Sequence, residues 1–462
     1  MISKKLALDV LNESLKSGAE FAELYIQNKY VHAISLSFRR VDSISSKLIY
    51  GCGLRLIKGD SQVYGYTSDL SRNSLMKLAS SLSASFDGER IKEVKELRIV
   101  PNPKHHRPLK GHDSLSTEDK ISYLKKAEKA MYDYSPLIMN ASVSLLENDE
   151  DVFIYNSKGR LVKDNRVRTR LAVGAVASKD GQFETAFEGP GASKGLEFLD
   201  EIDIVELATQ CAKTACDLLD APECPSGKMP VIIGNKFGGV LFHEACGHPL
   251  EATAISHNAS VFAGKLGQKI ASDVVTAIDD GTIENAWGSS NFDDEGNKTT
   301  KNVLIKNGIL VNYMIDDYDG KRLNLPSTGA CRRESYKYKP VTRMTNTFIA
   351  NGKSTKEEII KATKYGLYCE SFNGGSVDPA TDKFNFTASK AYIVKDGKID
   401  HLVRAASLVG YGYEILPKID MVANDCARGE GMCGAASGSV PADVGQPTLR
   451  VSEMTVGGRG GN

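Results

Sequence analysis

Two of the eight histidines in this 462-residue chain, His243 and His248, fall in one short stretch, Leu241-Phe242-His243-Glu244-Ala245-Cys246-Gly247-His248-Pro249-Leu250. Glu244 follows the first of them. A His-Glu pair with a second histidine one turn on is how a helix presents a catalytic zinc ion: two imidazoles hold the metal and the carboxylate serves as base. The plainer reading is a helix end that carries two histidines by chance, and the scarcity of histidine counts against it.

The spacing imposes a structural demand. In the familiar zinc helix the histidines are four residues apart, about 400° of turn, and share a face. Here they are five apart, about 500°, which leaves the rings about 140° out of line in an ideal helix. A single π-turn with i→i+5 bonding would align them. So would a helix that ends at Gly247 with His248 extended. Gly247 has the backbone freedom for either. Pro249 favours the second, because a proline pushes the residue before it out of the α region.

Two imidazoles do not complete a catalytic zinc site, which needs a third protein ligand and an open position. Three residues compete. Cys246 is i+3 from His243 but would crowd three ligands into six residues, and it could equally pack as a small apolar side chain. Glu251 is i+3 from His248. Cys433, in Gly431-Met432-Cys433-Gly434, is distant, with glycines that let its loop approach another element; the plain alternative is a buried thiol in a tight turn.

The elements that must position these groups read as follows. Residues 3–18 are amphipathic helix. Alternating segments Ala22-Leu24-Ile26, Ile34-Leu36-Phe38 and Leu48 to Leu56 predict an antiparallel meander. Leu75, Leu78, Ala79 and Leu82 predict a second helix. Pro101 to His112 reads as a loop. Ser116-x-x-Asp119 opens a third helix that stops before Ser135-Pro136. Strands follow from Met139 to Leu145 and Val152 to Tyr155. Between Arg166 and Ala175, Arg166, Arg168 and Arg170 share one strand face. They could meet an acidic ligand, but a solvated face paired with Glu184 or Glu188 is the favoured expectation.

Ala221-Pro222 to Met229-Pro230 reads as a linker. The expected organisation is therefore an α+β chain: an N-terminal α+β domain of antiparallel strands with flanking helices over residues 1–220, a linker over 221–230, and a strand-rich domain carrying the histidine helix over 231–462. Within the latter, Asn235 is a plausible N-cap, Asn307-Gly308 and Asp396-Gly397 mark hairpins, Ser354-x-x-Glu357 opens a helix, and Cys433 belongs to a loop before a final strand near Pro447–Val451. Gly457 to Asn462 reads as a flexible tail.

Lys+Arg and Asp+Glu balance at 58 each, which argues against a nucleic-acid or anionic-membrane partner. No apolar run is long enough to span a bilayer. Nine cysteines without a Cys-x-x-Cys pair fit thiol usage in the cytoplasm.

Taken together, His243-Glu244-Ala245-Cys246-Gly247-His248, Asp294-Glu295-Gly296, Thr328-Gly329, Arg343-Met344-x-Asn346-Thr347, Cys433, Ser439-Val440-Pro441 and Gly445-Gln446-Pro447-Thr448 resemble the TldD/PmbA family, the modulator-of-DNA-gyrase metalloproteases. The resemblance is to the TldD type and covers nearly the whole chain. It departs at Ala435 and Ser439, where the family often has Lys and Gln. The family uses an HExxxH motif with a C-terminal cysteine, so the resemblance implies Zn2+ on His243, His248 and Cys433 with Glu244 as the catalytic glutamate. It further implies hydrolysis of unfolded or flexible peptides and a PmbA/TldE-like partner in a heterodimer, or a homodimer. Two rivals use the same residues: a zinc-dependent amidase on a non-peptide substrate, and a non-catalytic regulatory subunit.

Overall fold

Ser3 accepts a hydrogen bond from the Leu6 amide and starts the first helix, Lys4–Ser14, in a computed structural model that describes residues 2–378 and 382–458. The tail residues 459–462 lie outside the described residues. Ala7, Val10 and Leu11 of this helix are buried in one cluster with Leu75 and Ala79 of the second helix, Arg72–Ser83. Together they cover one end of a long antiparallel sheet.

That sheet has the order Ser61–Thr67, Arg40–Lys58, Phe21–Ser37, Ile138–Asn156, Arg160–Lys179, and then the two-residue strand Arg98–Ile99. Its strands are longer than the local pattern predicts. The two segments around Ala22 and Ile34 are one strand of 17 residues, and those around Met139 and Val152 are one of 19. The polar stretch between them stays extended because it is paired on both sides, Gln27 opposite Gly51 and Val152. Pairing with neighbours overrides weak local propensity. Phe38 is not in a strand; with φ of 52° beside Arg39 at 62°, it forms the hairpin turn.

The third helix, Thr117–Tyr134, opens on the Ser116 cap as expected and ends at an extended Ser135. With Ile204–Leu219 it covers the other end of the sheet, burying Leu124, Met131, Ala208 and Cys211 against Leu145, Leu171 and Val173.

The arginine face is a correction. Arg166 and Arg168 are buried, not solvated, and neither pairs with Glu184 or Glu188. Arg166 donates to Asp294 and to the Phe292 carbonyl, and Arg168 to the carbonyls of Trp287 and Ser289. Glu184 meets Arg404 at 3.6 Å. The segment from Trp287 to Glu295 lies over this sheet face, so the guanidinium groups satisfy carbonyls that would otherwise be buried without partners.

The C-terminal half contains two larger sheets. One runs Ile309–Leu310, Lys301–Lys306, Ala277–Asp280, Asn346–Ile349, Gly438–Gln446, Ala427–Ala435. In the other, Tyr365–Asp378, Gly227–Ile233, Leu449–Gly457, Ser407–Tyr411 and Lys383–Lys395 pair in turn, and the last returns to the first, closing a ring. The histidine stretch is packed between the two sheets: Leu241, Phe242, Ala245 and Leu250 share a core with Val231, Phe384, Phe386, Val440 and Val444.

Both predicted hairpins form, with Asn307-Gly308 and Asp396-Gly397 at positive φ. The helix expected to open at Ser354 is shifted by one residue: Thr355 and Glu358 make the capping box of Lys356–Lys361. Asn235 does not cap the histidine segment. Its amide donates to the Asp425 carbonyl instead, tying the segment to a neighbouring loop. All nine cysteines are free, and among the described residues no helix is long and apolar enough to cross a membrane.

Candidate metal centre

From His243 to Gly247 the backbone widens into a π-turn. The His248 amide donates to the His243 carbonyl five residues back, which lines the two residues up on one face. His248 keeps helical angles, φ −57° and ψ −44°, so the extended alternative favoured by Pro249 is not adopted. Proline has no N–H, so the widened ladder ends there with no orphaned donor, and the chain passes into a 3-10 turn, His248–Leu250. Gly247 sits at φ −60°, which any residue tolerates. Its need is for space: a Cβ there would lie 2.2 Å from Met344 Sδ.

Cys433 belongs to a strand, not to the loop read from its glycines. It lies opposite Val440 in the hairpin formed by Ala427–Ala435 and Gly438–Gln446. This hairpin brings its Sγ to 3.1 Å from His243 Nε2 and 3.2 Å from His248 Nε2. The two imidazoles are nearly perpendicular, with centroids 5.2 Å apart. His243 and Cys433 are buried, whereas the Glu244 side chain is 23% exposed with Oε2 3.9 Å from His248 Nε2. The open side of the cluster is therefore the side of the carboxylate.

The charges agree with the geometry. Burial alone would raise the Cys433 thiol, but His243 and His248 beside it bring its pKa down to about 3, toward the thiolate that binds a metal. Burial works against a charged His248, and Glu251 and Cys433 outweigh it, holding its pKa well above the ordinary histidine value. Cys246 behaves differently. It is buried in the core and desolvation pushes its thiol far up, leaving a small apolar side chain.

Comparison with known proteins adds an independent observation. The family model for the PmbA/TldA metallopeptidase C-terminal domain matches residues 226–458, that for the central domain 110–219 and that for domain 1 residues 22–93. A metalloprotease TldD homolog of Buchnera aphidicola is 34% identical across 97% of this chain and 95% of its own length. The chain belongs to the PmbA/TldD metallopeptidase family. Among more distant members, a zinc metalloprotease TldD homolog of Saccharolobus solfataricus is 26% identical over 96% of this chain and 97% of its own. The crystal structure of TldE from Thermococcus kodakarensis has the same fold, with a TM-score of 0.75 at 18% identity, covering 95% of this chain and 97% of that one.

Whether the three donors of this PmbA/TldD-family chain suit a metal can be tested on their spacing. His Nε2 and Cys Sγ atoms on one tetrahedral zinc ion stand about 3.5 Å apart, given bonds of about 2.0 and 2.3 Å. The separations here, 3.1 and 3.2 Å, need only a few tenths of an ångström of side-chain rotation. A borderline-soft divalent ion also suits two imidazoles and a thiolate better than a hard ion such as Mg2+ does. The donor set therefore fits. A second buried trio, Glu295, Asp316 and Cys331, differs in kind. Glu295 is already engaged by Arg55 and the Asp317 amide, and Asp316 by the Asp319 amide.

Two residues at the site have roles that spacing did not reveal. Glu251, considered as a ligand, is turned to the far side of His248, with Oε1 3.2 Å from Nδ1. Arg343, seen only as part of a motif, is wholly buried behind Cys433 and donates to its carbonyl. A lone arginine in a strand-rich region carries no signal of such a partner.

Proposed function

We propose that this chain is a zinc-dependent peptidase that hydrolyses unfolded or flexible peptides, with His243, His248 and Cys433 as metal ligands and Glu244 as general base. The observation that carries the reading is the convergence of two Nε2 atoms and one thiolate sulfur beside a carboxylate that is not itself in the donor set. A purely structural zinc site has four protein ligands and no use for a base.

Zinc, when bound, polarises the scissile carbonyl and acidifies water. The chain's residues do the rest. Glu244, on the open side, accepts the water proton and passes it to the leaving amine. Cys433 contributes a full negative charge, which makes the site a weaker Lewis acid than one with three neutral ligands. Glu251 faces Nδ1 of His248 and would hold the proton on that nitrogen when Nε2 gives up its own to a metal.

An extended peptide is the substrate form that suits a strand-rich surface, since it can be held through its backbone by adding to a sheet edge. The shared fold with a TldE protein supports a second, TldE-like subunit as partner, with a homodimer as the alternative.

The test is peptide hydrolysis by the purified protein, alone and with its partner, with and without chelator. Glu244→Gln should lose about 10²- to 10⁴-fold in rate while keeping its zinc. Full activity in that variant overturns the base assignment. Cleavage of non-peptide amides in place of peptides would redirect the reading to an amidase.

A further inference from the structure

Arg343 touches both halves of the metal centre. Its Nη1 donates to Ser437 Oγ at 3.1 Å and to the Gly438 carbonyl at 2.8 Å, which are the turn of the cysteine hairpin. Its Nη2 donates to the carbonyl of Cys433 itself. Its remaining nitrogen, Nε, faces Glu251 Oε1 at 4.0 Å. Glu251 in turn stands 3.2 Å from His248 Nδ1.

The burial of this chain of contacts gives it weight. Arg343 has no exposed surface and Glu251 only 7%. Arg343 Nε and Glu251 Oε1 are both buried without a hydrogen-bond partner of acceptable geometry. Opposite charges removed from water offset part of each other's cost, and Glu251 shares its carboxylate between Arg343 and the nearer His248 Nδ1. A shift of about 1 Å would bring Arg343 Nε and Glu251 Oε1 to bonding distance. The planar fork of arginine suits this place: three nitrogens point in fixed directions, two to the hairpin and one to Glu251, just past the histidine turn. A lysine has three donors but carries them on one nitrogen, which cannot sit beside both the hairpin and Glu251.

Resting on the zinc reading above, we propose that Arg343 and Glu251 form a strap that sets the position of Cys433 against His248, and that they are positioning residues for the metal. The hairpin is also tied to the start of the histidine segment, by Gln446 Nε2 donating to the Gly234 carbonyl and by a backbone bridge between Lys236 and Arg428, but those ties lie upstream of His243, whereas the strap acts at His248. The cysteine hairpin and the histidine turn come from different parts of the chain, so their relative placement depends on such a tie.

The measurement is zinc affinity of the full chain by competition with a chromophoric chelator, together with the absorption spectrum of the Co2+ form, whose thiolate-to-metal band reports Cys433 directly. Glu251→Gln is nearly isosteric and should bind zinc about 10- to 100-fold more weakly, measured at a temperature where the thermal transition of the metal-free variant shows it to be fully folded. Arg343→Lys should weaken the thiolate band relative to wild type. His243→Ala is the control for the zinc site itself. If His243→Ala loses zinc while Glu251→Gln and Arg343→Lys keep wild-type affinity and spectrum, the strap is wrong and the zinc reading stands. If His243→Ala keeps wild-type affinity, the zinc reading fails and the strap with it. Should Arg343→Lys not fold, Glu251→Gln alone decides.

Discussion

His243 Nε2 and Cys433 Sγ stand 3.1 Å apart although 190 residues separate them in the chain. The cluster therefore forms only once the cysteine hairpin has packed against the histidine turn. Cys246, a few ångströms of backbone from the same histidine, is directed into the core instead.

That difference gives the first prediction. Cys433→Ala should lower zinc affinity by more than about 100-fold, beyond what loss of an outer residue produces. Cys246→Ala should bind zinc as wild type does and lose about 1 kcal/mol of stability through reduced packing. Zinc content after dialysis against a weak chelator, with thermal melts of both variants, checks the pair. Zinc lost from the Cys246 variant and kept in the Cys433 variant would exchange their roles.

The π-turn gives the second. At Gly247 an added Cβ would meet Met344 Sδ at 2.2 Å, so Gly247→Ala forces one of the two to move. The expected cost is about 1–3 kcal/mol by denaturant unfolding. Shortening the neighbour, in Gly247→Ala with Met344→Ala, should cost less than the sum of the two single variants, because the clash is gone. If the double variant is worse by the sum of the two single effects, space is not the reason for the glycine.

How much of this was legible in the sequence depends on whether the cause was local. The five-residue spacing of His243 and His248 already required a π-turn or a helix end, because it follows from helix geometry alone. The choice between them did not, since the bias that Pro249 exerts on His248 is overruled by the i→i+5 bond and by packing against Met344. Cys433 was one of three candidates by residue type, and its strand register, opposite Val440, is a long-range fact. The arginine face failed for the same reason. Arg166 and Arg168 alternate with apolar residues just as a solvated strand would, and only the covering segment Trp287–Glu295 makes that face interior.

The buried ion network between the halves gives the third prediction. Glu23 has no exposed surface and accepts from both Arg55, at 2.8 Å, and Arg333. Arg55 reaches on to Glu295, so a strand of the N-terminal half is tied to the segment that covers the arginine face. Glu23→Ala leaves two guanidinium groups buried with one partner fewer and should cost about 3–5 kcal/mol. Glu23→Gln should cost less, because it keeps an acceptor. Chemical unfolding of the three proteins tests this, and equal stability of wild type and Glu23→Ala would show that the network is neutral.

The last prediction concerns pH and lies within the cysteine hairpin. Asp443 stands opposite Glu430 across the strand pair, is 3% exposed, and has one oxygen with no hydrogen-bond partner. Burial, and then the charge of Glu430, raise its pKa to about 8 from 3.8, with Arg428 at 3.6 Å only partly opposing them. The folded state thus holds a proton that the unfolded chain releases near pH 4. The stability that Asp443 contributes is complete below the unfolded value and is lost as pH rises through the folded one, so the loss accumulates between about pH 4 and pH 8. Asp443→Asn removes that dependence. Relative to wild type, the variant should gain stability steadily across this window, on the order of a few kcal/mol by its upper end. Melting temperatures of the two proteins at about pH 5 and about pH 8 decide it: a difference that does not change with pH would mean that Asp443 is ionised in the fold and that Arg428 is a sufficient partner.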